Sequence, residues 1–231
     1  MSDFEDFLVC AFPTATWRAT VIGVSEGVAL ADDLRASTHW LGSLVGRDLL
    51  GSLRRAGVMW RIRQLCALGD LPFKCEEVTN TARNAHLVRI DSGQVRAHIT
   101  RTDSEAAFPT DMPIRQDHRL TYNADLFRDY KDGKVVPISE VLKTIPQVYA
   151  WLTFGADRQG RLSHVCWASP AAEEDVWMGR INILRRASDL GATAIEPDPV
   201  PRPDPMQKTK FRQHVEEMLD KTAKEEPQGD A

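Results

Sequence analysis

The sequence predicts an α+β fold: an N-terminal helical layer packed on a mainly antiparallel sheet built from two β-hairpins. Three stretches predict it. Residues 147–168 read Q-V-Y-A-W-L-T-F-G-A-D-R-Q-G-R-L-S-H-V-C-W-A. Two runs rich in aromatic and β-branched residues flank a loop holding Gly155, Asp157 and Gly160, which is the pattern of a hairpin. It is the most apolar paired unit of the chain and therefore the expected centre of the sheet, with Trp151, Leu152, Phe154, Val165 and Trp167 as core anchors. Residues 86–101, H-L-V-R-I-D-S-G-Q-V-R-A-H-I-T-R, form a second hairpin around Ser92-Gly93. Residues 25–68 turn to helical spacing of apolar residues.

Taken in order, residues 4–12 (Phe4, Phe7, Leu8, Phe12) form a short apolar helical piece that stops at Pro13. Ser25 is the expected N-cap of the next helix. Val28, Leu30, Leu34, Trp40, Leu41, Leu44 and Val45 then recur at roughly helical intervals. Gly42, Gly46, Gly51 and Gly57 argue for two or three helices rather than one, since each glycine costs about 1 kcal/mol relative to Ala in a helix. Gly69-Asp70-Leu71-Pro72 is the stop signal.

In the 86–101 hairpin a two-residue Ser92-Gly93 loop would set Ile90 against Val95 and Arg89 against Arg96. Alternation points Val88, Ile90, Val95, Ala97 and Ile99 into the core. Leu87, Arg89, Arg96, His98 and Thr100 then form a second, basic face. Residues 102–146 read as loop-rich, with short helices near 122–130 and 138–144. After the central hairpin, an acidic start (Glu173, Glu174, Asp175) and a basic end (Arg185, Arg186) suit a helix carrying Trp177, Ile181, Leu184 and Ser188 on one face. A strand over 175–181 is the competing reading. One domain is expected over 1–190, helical to about 82 and sheet-rich beyond. The alternating prolines of 196–205 make 191–205 an extended linker. Residues 206–231 read as a terminal helix, with Phe211, Val215, Met218 and Leu219 on one stripe, and a tail.

The 231 residues, 42% hydrophobic and 27% charged, are ordinary for a globular protein, and the net charge of −4 excludes a polyanion binder by bulk charge. The acidic start and the absence of a long apolar run predict a cytoplasmic protein without signal peptide or membrane span. Cys10, Cys66, Cys75 and Cys166 are scattered and read as reduced, mostly buried thiols. No cofactor fingerprint and no zinc or calcium spacing is present, so neither a cofactor nor a metal is expected.

Three constellations remain. Arg54, Arg55, Arg61 and Arg63, with Arg47 and Trp60 nearby, could contact nucleic acid if they lie on an exposed helix face. The terminal stripe could lie in a partner protein's groove. His98-Ile99-Thr100 and His164-Val165-Cys166 sit on strands, and the pair resembles the two His-x-Ser/Thr motifs of the 2H phosphoesterases. In the second motif Cys166 stands where that family has a hydroxyl. The resemblance implies His98 and His164 as acid and base on a phosphodiester, with Arg89, Arg96 and Thr100 binding the anion.

The stretch P-Q-V-Y-A-W-L-T-F-G, with Gly160 and the strand after it, also looks like the β-rich half of some bacterial and phage proteins encoded beside helix-turn-helix regulators or defence cassettes. That resemblance covers about 86–180 and implies a regulatory, toxin–antitoxin or prophage-like setting. The functional expectation is a non-enzymatic partner-binding protein. The alternatives are a phosphodiesterase or RNA-processing enzyme and a DNA-binding protein.

Overall fold

A computed structural model describes residues 3–79, 86–109, 113–124 and 147–189. All of these belong to one compact unit, Met1–Asp198. The expected linker, the terminal stripe of Phe211, Val215, Met218 and Leu219, and the helices near 122–130 and 138–144 lie almost wholly outside the described residues.

Helix α1 (Asp3–Ala11) ends at Pro13, and α2 (Thr14–Ser37) leaves at an angle of 77° to it. Trp17 locks this corner by donating its indole N–H to the carbonyl of Phe12 at 2.8 Å. Ser25 lies inside α2 and caps nothing. A 3-10 turn (His39–Gly42) reverses the chain into α3 (Leu44–Leu68), whose N-cap is Ser43, accepting from the Gly46 N–H at 3.2 Å.

The helical region divides in two, as expected, with the break at the turn ending in Gly42, but Gly46, Gly51 and Gly57 interrupt nothing: one 25-residue helix runs through them. Gly57 is instead the point where α2 and α3 touch backbone to backbone. A Cβ on Gly57 would lie 2.3 Å from the Gly27 carbonyl oxygen, and one on Gly27 would lie 2.5 Å from the Cα of Val58. The lost helix propensity is exchanged for a close antiparallel crossing. Helix α3 ends as expected at Gly69, in the left-handed conformation with φ 84°.

The sheet has six strands in sequence order: β1 (Lys74–Thr79), β2 (His86–Asp91), β3 (Val95–Arg101), β4 (Val148–Ala156), β5 (Leu162–Pro170) and β6 (Trp177–Asn182). Every pair is antiparallel except β3–β4, which is parallel. The sheet is therefore two three-stranded meanders joined along one parallel seam. Strand β1 extends the first hairpin, and β6 extends the second. The segment read foremost as a helix over 170–188 is strand β6 followed by the short helix α5 (Ile183–Asp189). Pairing with β5 satisfies the backbone of 177–182, which outweighs two turns of amphipathic helix.

The 86–101 hairpin pairs Arg89 with His98, Ile90 with Ala97 and Asp91 with Arg96. The register is two residues from the expected one, because the turn centres one residue later, closed by the Ser92 N–H on the Val95 carbonyl at 3.0 Å. A shift of two preserves the faces, so the predicted inward and outward sets hold.

One sheet face packs under α1–α3. Ile90, Val95, Ala97, Ile99, Ala150, Leu152, Phe154, Val165, Trp167 and Ile181 meet Leu8, Phe12, Trp17, Val21, Val24, Val58 and Ile62 there. Phe12 stacks on Trp167 with ring centroids 3.6 Å apart. The opposite face is more polar, as expected, but it is not open. Helix α4 (Pro113–Asn123) lies on it, so β4 is buried along both faces. Among the described residues no single helix is long and apolar enough to cross a membrane.

Candidate functional site

Helix α4 turns a polar stripe inward. Arg115, Arg119 and Asn123, spaced i, i+4, i+8, are its buried residues, with His118 and Tyr122 half-buried beside them. Pro113 opens it at the first helical position, where a missing N–H costs nothing. Asn123 anchors its end: the amide donates to the carbonyls of Tyr149 (3.0 Å) and Pro170 (2.8 Å) and accepts from the Tyr149 N–H (2.8 Å). One side chain thus bridges β4 and β5.

Beneath the helix stand Arg96, His98 and Thr100 of β3 and Tyr149, Trp151 and Thr153 of β4. Arg115 donates to the Thr100 hydroxyl at 2.7 Å, with its guanidinium carbon 5.5 Å from the Trp151 ring. Arg119 pairs with Asp175 at 2.9 Å and lies 5.4 Å from the ring of Phe108. Arg96 donates to the Tyr122 hydroxyl and sits 5.0 Å from that ring. Among the described residues no carboxylate pairs with Arg96. Asp91, opposite it in register, accepts instead from the Gly93 N–H and the Gln147 amide.

His98 is 1% exposed. Its Nδ1 meets the Tyr149 hydroxyl at 2.9 Å, and its Nε2 is buried with no partner. The His118 ring lies 5.0 Å away, its Nδ1 likewise buried and unpartnered. Burial pushes the His98 pKa down to about 3, helped by the cationic field of His118, Arg89, Arg115 and Arg96. Burial, Arg96 and Arg89 lower His118 as well, against a smaller upward pull from Asp117. The result is a buried, water-poor wall of donors in a positive potential, with two neutral imidazoles held inside it.

The sequence candidates divide sharply across this geometry. Arg96, His98 and Thr100 are brought together on the α4 side. Arg89 stands opposite His98 but is bound to Glu76 of β1. His164 is not brought to them. It faces Gly155 on β4, whereas His98 faces Trp151. Four residues along the strand and two strand spacings put the histidines roughly 16 Å apart. Both His164 nitrogens are engaged, Nε2 with the Thr102 hydroxyl at 2.7 Å and Nδ1 with the Ser163 hydroxyl at 3.0 Å. Its ring fills the space that a side chain at 155 would need, since a Cβ there would lie 2.3 Å from it. A two-histidine phosphodiester site has no shared cleft in this arrangement.

The basic cluster of α3 is likewise not an open cationic face. Arg54 is 3% exposed and grips Asp32 with two bonds, 3.0 and 2.7 Å, while donating to the Asp157 carbonyl at 2.8 Å. Arg61 is paired with Glu26 at 2.5 Å and Arg63 with Glu77 at 2.6 Å. Arg55 is half-buried. Arg54, Arg61 and Arg63 tie helix to helix, to β1 and to the β4–β5 turn, so most of the charge of this cluster is already engaged.

Reading for apolar periodicity missed Arg115, His118, Arg119, Tyr122 and Tyr149. The signal that could have found the helix is the i, i+4, i+8 repeat of Arg115, Arg119 and Asn123 behind Pro113. Among the described residues no three His, Cys, Asp or Glu side chains converge to hold a metal ion. Compared with family models, with curated proteins and with solved structures, the chain finds no match in any of the three.

Proposed function

We propose that this chain is a ligand-binding protein whose α4-covered sheet face takes a small anion, a phosphate- or carboxylate-bearing molecule. One observation carries the reading: the buried, unpartnered Nε2 of His98 beside Arg96, which no described carboxylate neutralises. A buried donor without a partner is costly, by about 1–3 kcal/mol, and is uncommon in a settled core. If the Tyr149 hydroxyl donates to Nδ1, Nε2 carries the hydrogen and offers it to a ligand. Arg96, His118 and Tyr122 are half-exposed and form the entry, while His98 and Trp151 form the floor. A bound anion would take up the positive potential that Arg96 and the neighbouring arginines create around His98. Such occupancy suits the regulatory or defence-type role expected of the sequence.

Calorimetric titration and thermal unfolding of the full chain with inorganic phosphate and with citrate test this, against sodium chloride at matched ionic strength. Saturable binding is expected, with stabilisation of about 2.7 kcal/mol at one hundred times Kd. Arg96→Gln and His118→Gln should each weaken it tenfold or more. No saturable binding, or unchanged affinity in both variants, overturns the reading.

A second reading, docking of a partner protein, is favoured by the bend between α2 and α3. Leu34, Trp40, Leu44, Val45 and Leu49 are exposed there, Leu44 by 75%. Replacing Trp40 and Leu44 with Ser should release a protein that co-purifies with the chain. Unchanged co-purification removes this reading.

A further inference from the structure

Cysteines expected to be inert and mostly buried turn out to differ in kind. Cys166 is buried, and its thiol is pushed up to about 12, chiefly by that burial. Cys10 is exposed on α1. Cys66, in the last turn of α3, and Cys75, at the start of β1, are both half-exposed, and their sulfurs lie 2.7 Å apart. That separation is well inside an ordinary non-bonded sulfur contact.

The local fold creates the approach. Gly69 in the left-handed conformation reverses the chain, the Leu71 N–H bonds back to the Leu65 carbonyl at 3.2 Å, and Leu71 and Phe73 are buried as anchors. Strand β1 is thereby laid beside the helix end it has just left. We propose that Cys66 and Cys75 are a redox-active dithiol that closes to a disulfide on exposure to a peroxide-class oxidant, fastening the C-terminal turn of α3 to the edge strand β1.

The chemistry follows the asymmetry of the pair. The Cys75 thiol donates to the Cys66 sulfur, which lowers Cys66 toward the thiolate and raises Cys75. The thiolate is the nucleophile. Cys66 attacks hydrogen peroxide, breaking the O–O bond, forming a sulfenic acid and releasing hydroxide, which is protonated to water. The Cys75 sulfur then attacks the sulfenic sulfur and the S–O bond breaks. The departing hydroxide leaves as a second water with the Cys75 proton. Each thiol sulfur is oxidised by one electron, and the peroxide takes up both.

Such a crosslink does not depend on anion binding at the α4 face. Its reach is to β1, where Glu76, the residue after Cys75, holds Arg89.

The test treats the full-length chain with stoichiometric hydrogen peroxide, then alkylates, digests without reductant and maps peptides by mass. The expected result is a Cys66–Cys75 linked peptide, two hydrogens lighter than the reduced pair, formed at least tenfold faster than Cys10 is modified and reversed by a dithiol reductant. Cys10→Ser should leave the crosslink intact. Cys75→Ser should stop at a Cys66 sulfenic acid that a dimedone probe traps. Cys66 and Cys75 still separately alkylated after Cys10 has been oxidised would overturn the proposal, as would a crosslink running through Cys10.

Discussion

The two faces of one sheet are buried by opposite means. Under α1–α3 the contacts are apolar and interdigitated, with Phe12 stacked on Trp167 and the α2–α3 crossing closed at Gly27 and Gly57. The buried charge in that half, Arg54, is paired with Asp32. Under α4 the buried stripe is arginine, histidine, tyrosine and asparagine, and several donors there lack partners. Both faces are covered, but under α1–α3 the Trp167 indole N–H is the one buried side-chain donor without a partner among the described residues, against several under α4. A hydrophobic face is complete when it is covered, whereas a polar face is complete only when every donor has an acceptor. That difference separates the half that holds the molecule together from the half proposed to take a ligand.

The comparison can be broken first at Trp167. Trp167→Ala should cost about 3–5 kcal/mol in urea denaturation, and the loss should be the same in phosphate and in chloride. A phosphate-dependent loss would mean that the two faces are coupled. Next comes Asp32. Asp32→Ala leaves the buried Arg54 without its carboxylate and should cost about 3 kcal/mol. A negligible cost would show that the Asp157 carbonyl alone is enough to hold the Arg54 guanidinium.

The third test is pH. His98 binds a proton in the unfolded chain near its ordinary pKa of 6.5 but only near about 3 when folded. Between those values the unfolded state holds more protons, so stability should fall as pH drops from about 6.5 toward 3. His118 and His164 are shifted the same way. His98→Phe should flatten the slope by up to about 1.4 kcal/mol per pH unit in that window, as denaturation midpoints across a pH series would read out. An unchanged slope would show that His98 is not held neutral.

The smallest effect is at Arg96. Arg96→Gln should change the stability of the ligand-free protein by less than about 1 kcal/mol, as half-exposed surface changes usually do, while erasing the stabilisation by phosphate. A large loss without ligand would make Arg96 a structural residue.

The apolar half was legible in the sequence because its physics is periodic. Leu152, Phe154, Val165 and Trp167 are buried in it as expected, whereas Trp151, buried as well, lies on the α4 side. The 86–101 hairpin kept its faces even though its register moved, because alternation has period two. What was not legible shares one cause: side chains serving a purpose other than their usual one. Glycines 46, 51 and 57 read as helix breakers, but Gly57 is a contact point. Arg54 and Arg61 read as a surface for nucleic acid, but they are internal clamps. Helix α4 was invisible because its buried stripe carries no apolar residue for periodicity to find. His98 and His164 looked like a pair because sequence reports spacing along a strand and not the offset between strands. At the candidate site alternation placed Arg96, His98 and Thr100 on one face, whereas the α4 side chains that complete the wall were not found.

The parallel seam between β3 and β4 also sets an order of assembly. Within each meander, partners are close along the chain, but residues paired across the seam lie about fifty positions apart, Val95 with Val148 among them. Closing so long a loop is entropically expensive before any contact rewards it. The two meanders are therefore expected to form as separate kinetic units and to join late. The face proposed to bind an anion, built from β3 on one side of the seam and β4 on the other, comes into existence only at that last step.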